Sequence, residues 1–144
     1  MIYPDYMQYE KLKKYFKKQS DIQCAILFGS VALGKTTPMS DIDIGVYFDN
    51  DVDKLSASDR QIDITCILMS LYHINRVDVV ILNFADPFLR FQVVKTGQLI
   101  YAKDIKEFYR FKAVSFGRYQ EIKPLYEQYN KIAEEKIRRN ADGG

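Results

Sequence analysis

The 144-residue sequence has a single histidine, two cysteines and no apolar stretch near the ~20 residues needed to cross a bilayer. Cys24 and Cys66 stand in apolar surroundings, with neither CxxC spacing nor partner histidines. That excludes a zinc ribbon or a redox pair and predicts two small buried hydrophobes. His73 has no candidate metal partners and is expected at a helix end. Met1 to Glu10 carries tyrosines and acids where a secretory signal would carry a basic segment and an apolar run, so a cytoplasmic location is expected. A strong excess of one charge is also missing. Lys+Arg (21) nearly balances Asp+Glu (19), which is too mild for a protein that coats nucleic acid, and direct nucleic-acid binding is not expected. Internal repeats and low-complexity segments are absent.

What remains is an ordinary single domain, residues 1–144, 47% hydrophobic and long enough to have a real core. Asp5 can cap a helix from about Tyr6 to Gln19, with Tyr9, Leu12, Tyr15 and Phe16 on one stripe and lysines facing solvent. Gln23 to Phe28 reads as a buried strand stopped by Gly29-Ser30, and Val31 to Gly34 as a short helical turn. From Asp41 the period is two: Ile42, Ile44, Val46 and Phe48 point to an oily face, and Asp41, Asp43, Gly45 and Tyr47 to the other. A loop over Asp49 to Asp53 and a helix over about Ala57 to Ile74 follow, although Gln61 to Thr65 alternates like a strand. Val77 to Leu82 is a third strand. Asp86-Pro87 opens a helix ending near Thr96-Gly97, and Gln98 to Tyr101 is a fourth strand. Asp104 to Arg139 has helical spacing interrupted by Pro124, which predicts two helices or one kinked helix, with a helical C-terminal part over about 104–139. The expected class is α/β (α+β), a small mixed sheet flanked by helices.

One conjunction carries chemistry: a buried strand, a Gly-Ser turn, ten residues, then Asp-x-Asp at the start of the next strand. Gly29 lets backbone approach a ligand without a Cβ, and Ser30 offers a hydroxyl and an amide to phosphate oxygens. On a strand, Asp41 and Asp43 lie about 6 to 7 Å apart on one face and repel by roughly 2 kcal/mol at an effective dielectric near 20. A hard cation such as Mg²⁺ relieves that repulsion. Gly45 would leave space for a nucleotide. Asp78 faces away from Val77, Val79 and Ile81; if its strand neighbours that of Asp41, a three-carboxylate cluster able to hold two metals results.

Each part alone has a plainer reading. Gly-Ser turns are common, Asp-x-Asp can solvate a strand edge and also occurs in sugar-nucleotide glycosyltransferases, and Asp78 can pair with Arg76. Asp63 reads as helix surface, and Arg90 and Lys95 as a solvated helix face rather than phosphate ligands.

Together with Leu27-Phe28-Gly29-Ser30-Val31-Ala32-Leu33-Gly34 and Pro38-Met39-Ser40-Asp41-Ile42-Asp43-Ile44, the chain resembles the minimal nucleotidyltransferases of the polymerase-beta superfamily. More narrowly, it looks like the MntA antitoxins that accompany HepT toxins of the HEPN class. The likeness continues through Arg76 to Asn83, Phe91 to Tyr101 and Phe108 to Asn130. It implies a polymerase-beta-like fold and transfer of AMP from ATP to a tyrosine of the partner toxin, an RNase. By position, Gly29 and Ser30 would hold phosphate, Asp41 and Asp43 would bind Mg²⁺, and Asp78 would join the metal set and help activate the tyrosine hydroxyl. One departure is Leu33, where the family usually has Arg.

Two rival functions stand beside this. A nucleotidyltransferase acting on a small molecule would usually carry a substantial extra domain, which 144 residues hardly accommodate. An antitoxin acting by binding and occlusion alone would use a partner surface such as the tyrosines of the C-terminal helices, Tyr109, Tyr119, Tyr126 and Tyr129.

Overall fold

The computed structural model describes residues 6–29, 42–73 and 76–142. In chain order these form α1 (Tyr6–Lys17), β1 (Ile22–Phe28), β2 (Ile42–Phe48), α2 (Lys54–Tyr72), β3 (Val77–Ile81), α3 (Pro87–Thr96), β4 (Gln98–Ala102) and α4 (Ile105–Asp142). The strands make one mixed sheet in the order β3-β2-β1-β4. β1 runs antiparallel to both β2 and β4, and β2 runs parallel to β3. The expected Asp5 cap and the turn over Val31 to Gly34 lie outside the described residues.

The two-residue period of β2 sorts its side chains between two cores. Ile42, Ile44, Val46 and Phe48 meet Leu12 and Phe16 of α1 and Ala57, Ile64, Leu68 and Tyr72 of α2. The opposite face is also covered: Cys24, Ile26 and Leu82 pack with Val93 and Val94 of α3 and Phe108 and Phe111 of α4, with Tyr47 and Val80 against them. Asp43 and Asp78, at the starts of β2 and β3, are not part of this second layer. Burying each large apolar side chain contributes about 1.5–3 kcal/mol, so the two layers together hold the sheet.

Helix ends follow their sequence signals. The Asp53 side chain accepts from the Ser56 amide at 2.8 Å and begins α2 three residues before the expected start, at Lys54. His73 closes that helix in the left-handed region at φ 56°, as its position at a helix end predicts. The alternation over Gln61 to Thr65 is absorbed by the helix: Ile64 is buried while Ile62 remains exposed. Asp86 accepts from the Leu89 amide at 3.0 Å, with Pro87 at the first turn. Arg60 makes a two-pronged bond to Asp21, at 2.8 and 3.0 Å, that ties α2 to the turn before β1 and pulls the Asp21 carboxyl below its ordinary pKa.

Cys66 corrects the sequence reading: it is exposed on α2, whereas Cys24 is buried and burial pushes its thiol up to about 12. The C-terminal part is one continuous helix with Pro124 inside it. At 38 residues it is about 57 Å long at 1.5 Å per residue, and it outruns the body it packs on. From Glu127 to Asp142 every residue except Ala133 is exposed. Because that tail is exposed, deleting residues 131–142 should leave the unfolding free energy within about 0.5 kcal/mol of the full chain in a urea titration.

Candidate functional site

Hydrogen bonds at both ends of the β2–β3 pair set its register. The Ile42 amide donates to the Arg76 carbonyl at 2.9 Å, and the Leu82 amide to the Val46 carbonyl at 2.8 Å. Between them Asp43 stands opposite Asp78, and on the other side of β2 it stands opposite Phe28. Neighbouring strands are about 4.8 Å apart, and laterally paired residues point to the same face, so the two carboxylates are adjacent. Asp43 is half-buried and Asp78 is exposed at the start of the edge strand.

Gly29, one residue after Phe28, completes the row. It sits at φ +74°, the left-handed region that L side chains rarely adopt, and a Cβ there would overlap the Asp43 Oδ2 and lie 3.2 Å from its Cγ. The Asp43 carboxylate therefore rests directly over the Gly29 backbone. The predicted residues Gly29, Asp43 and Asp78 come together at one end of the sheet; Ser30 and Asp41 lie outside the described residues. Among the described residues no group of three His, Cys, Asp or Glu side chains is placed to hold a metal. On its outer side Asp78 borders a shallow cleft of about 260 Å³ against α2, beside Gln61 and the exposed Cys66. Asp63 lies on the exposed surface of α2, as expected.

Two sequence readings are overturned here. Gly45 leaves no room for a ligand: Leu82 and Val93 carbons lie 3.1 Å from where its Cβ would be. It is a packing glycine, and the plug it admits closes the sheet face beyond Asp43. Arg90 is not on a solvated face either. It is 7% exposed, its Nε donates to Ser115 Oγ at 2.7 Å, and its guanidinium lies 4.3 Å from the Phe111 ring centroid. A signal was present in the sequence, since Arg90 stands three and four residues before Val93 and Val94 on the stripe that faces the sheet. A cavity of about 400 Å³ is lined by Arg90, Tyr47 and residues of α4 rather than by the acids.

Residues 10–106 match the family model of polymerase beta, nucleotidyltransferase. A search of curated proteins finds no match. Among solved structures, a chain of a toxin–antitoxin complex with AMP-PNP is 25% identical with a TM-score of 0.71, covering 90% of this chain and 98% of that one. A chain of the toxin–antitoxin pair MntA–HepT is 22% identical with a TM-score of 0.66, covering 92% and 99%. A chain of a complex between tri-AMPylated Shewanella oneidensis HEPN toxin and MNT antitoxin is 23% identical with a TM-score of 0.66, covering 91% and 97%.

The two glycines should separate in mutants. Gly29→Ala must bear the left-handed backbone, about 1–2 kcal/mol, and turn the Asp43 carboxylate aside. Gly45→Ala should cost about 1–3 kcal/mol through crowding of Leu82 and Val93. Urea unfolding should register both losses, and only Gly29→Ala should move the side-chain carboxyl ¹³C resonance of Asp43.

Proposed function

This chain belongs to the polymerase-beta nucleotidyltransferase family, and from that premise we propose that it is an MntA-type antitoxin that transfers AMP from ATP to a tyrosine of a HEPN-type RNase toxin. The observation that carries the reading is the lateral pairing of Asp43 with Asp78 beside the side-chain-free backbone of Gly29. Two carboxylates about 5 Å apart repel by about 3 kcal/mol at an effective dielectric near 20, and a hard divalent cation converts that repulsion into a binding site. The donor set fits Mg²⁺: carboxylate oxygens only, on adjacent strands, open to solvent on the Asp78 side. Asp43 and Asp78 would hold it, with Asp41 as the third ligand from its place in Asp-x-Asp.

Two such ions, when bound, supply charge neutralisation for the triphosphate and acidify an attacking hydroxyl. The residues do the rest. Gly29, followed by Ser30, lets phosphate approach the main chain. Asp43, held over Gly29, would hold the cation to which the ATP phosphates bind. Asp78, at the exposed edge, faces the incoming tyrosine and receives its proton as the Oη–phosphorus bond forms and the bond to pyrophosphate breaks. ATP as substrate is supported by the AMP-PNP in the complex of the similar chain, and the toxin partner by the complexes to which the similar chains belong.

A second reading, neutralisation by binding alone, is favoured by the tail of α4. Tyr129, Ile132 and Ile137 are 56–71% exposed there. Tyr119 and Tyr126 are drawn inward onto Phe88, leaving Tyr109 and Tyr129 as the exposed tyrosines of the expected partner surface.

Asp43→Asn and Asp78→Asn should each lower AMP incorporation into the partner by at least about 100-fold, while Asp78→Asn changes stability by no more than about 0.5 kcal/mol. Incorporation is read by mass spectrometry of the toxin after incubation with ATP and Mg²⁺. Undiminished labelling refutes the transferase reading, and protection of cells by Asp43→Asn without labelling favours binding alone.

A further inference from the structure

The cavity of about 400 Å³ at the far end of β2 has a composition the transferase chemistry does not use. Arg90 forms its floor. The Ser115 hydroxyl donates to the Phe111 carbonyl at 2.8 Å, which aims a lone pair at Arg90 Nε and locks the guanidinium above the Phe111 ring. Tyr47, stacked on Phe111 with centroids 4.1 Å apart, walls the other side. That geometry uses one of the five donors of the guanidinium and leaves the two terminal amino groups without an acceptor among the described residues. Neither is sealed from solvent, because the lone fully buried polar side-chain atom without a partner, among the described residues, is the Tyr15 hydroxyl.

The charge is unmatched as well. Of the four ionic side chains that line the cavity, Glu107 pairs with Arg110 at 2.6 Å, which leaves Arg90 and Arg118 as two positive charges with no ion pair among the described residues. Burial pulls the Arg90 pKa below its ordinary value; Tyr47 opposes that shift, and the like charge of Arg118 adds to it more weakly. A buried cation facing another cation is unfavourable unless an anion joins them. A phosphate monoester carries about −1.5 to −2 charges at neutral pH, which matches two guanidinium groups; a carboxylate carries half of that.

We propose that this cavity is a second ligand site, distinct from the paired aspartates, that binds the phosphate monoester group of a small molecule through Arg90 and Arg118. The volume lies within the range of small-molecule pockets, and a guanidinium recessed below the surface admits a slender group and not a folded partner face. Tyr47 is four residues along β2 from Asp43, about 13 Å at 3.3 Å per residue, and the Leu82–Val93 plug over Gly45 stands between them. The site is therefore independent of the transferase reading.

The test follows arginine Nε–Hε signals of the ¹⁵N-labelled full chain by NMR as inorganic phosphate is added. The Arg90 signal should shift saturably, Arg118→Ala should weaken the affinity by at least about tenfold, and Asp43→Asn should leave it unchanged. Acetate, the probe for a partner's carboxylate side chain, should bind at least about tenfold more weakly than phosphate. The proposal is overturned by an Arg90 signal that does not saturate, by an affinity that is unchanged in Arg118→Ala or lost in Asp43→Asn, or by acetate binding as tightly as phosphate. Arg118 is exposed, so its replacement leaves the fold intact.

Discussion

Two backbone hydrogen bonds, Ile42 to Arg76 and Leu82 to Val46, clamp β2 onto β3 and decide which residue of one strand stands beside which residue of the other. In that register Asp43 meets Asp78. A slip of one residue would turn Asp78 to the opposite face and bury it against α2 while Val77 or Val79 took its place. The register is defended by burial on both faces: Ile42, Ile44 and Val46 cannot leave the layer under α1 and α2, and Gly45 cannot leave Leu82 and Val93. The Gln61 side chain adds an outer support by donating to the Val79 carbonyl on the open edge of β3 at 2.5 Å. Two carboxylates are thus kept adjacent by the packing of both core layers.

The same face of the sheet serves two ends differently. At the start of β2 the second layer stops short, leaving Asp43 half-buried over the bare backbone of Gly29 and Asp78 exposed beside it. At the end of β2, Tyr47 enters an aromatic stack with Phe111, and Arg90 is drawn under it. Gly45 marks the division, because its missing side chain admits the aliphatic plug that separates acidic end from basic end. Asn83 finishes the strand by exchanging hydrogen bonds with the Phe48 amide and carbonyl, at 2.8 and 3.1 Å.

Elements with strong local chemistry were legible in the sequence. The two-residue period of Ile42 to Phe48, the Asp86-Pro87 start and the Thr96-Gly97 end fall where the structure has them, and the pairing of Asp43 and Asp78 followed from periodicity once their strands were adjacent. Properties set by distant partners were not legible. Gly45 looks like open space until Leu82 and Val93 arrive from other elements. Arg90 looks like a surface cation until α4 brings Ser115 and Phe111 to it. Cys66 resembles Cys24 in its apolar neighbours, yet the helix turns it outward while Ile64 and Leu68 take the core. Pro124 reads as a break between two helices or a kink in one, and the structure has one helix, α4, continuing past it.

Asp43 and Asp78 are proposed to act as one cation site beside Gly29. Anomalous diffraction at the manganese edge, from crystals grown with Mn²⁺ and a non-hydrolysable ATP analogue, tests it directly. The predicted result is a manganese ion coordinated by carboxylate oxygens of both residues and lost in Asp78→Asn; an ion that touches neither, or full occupancy in that variant, would contradict it.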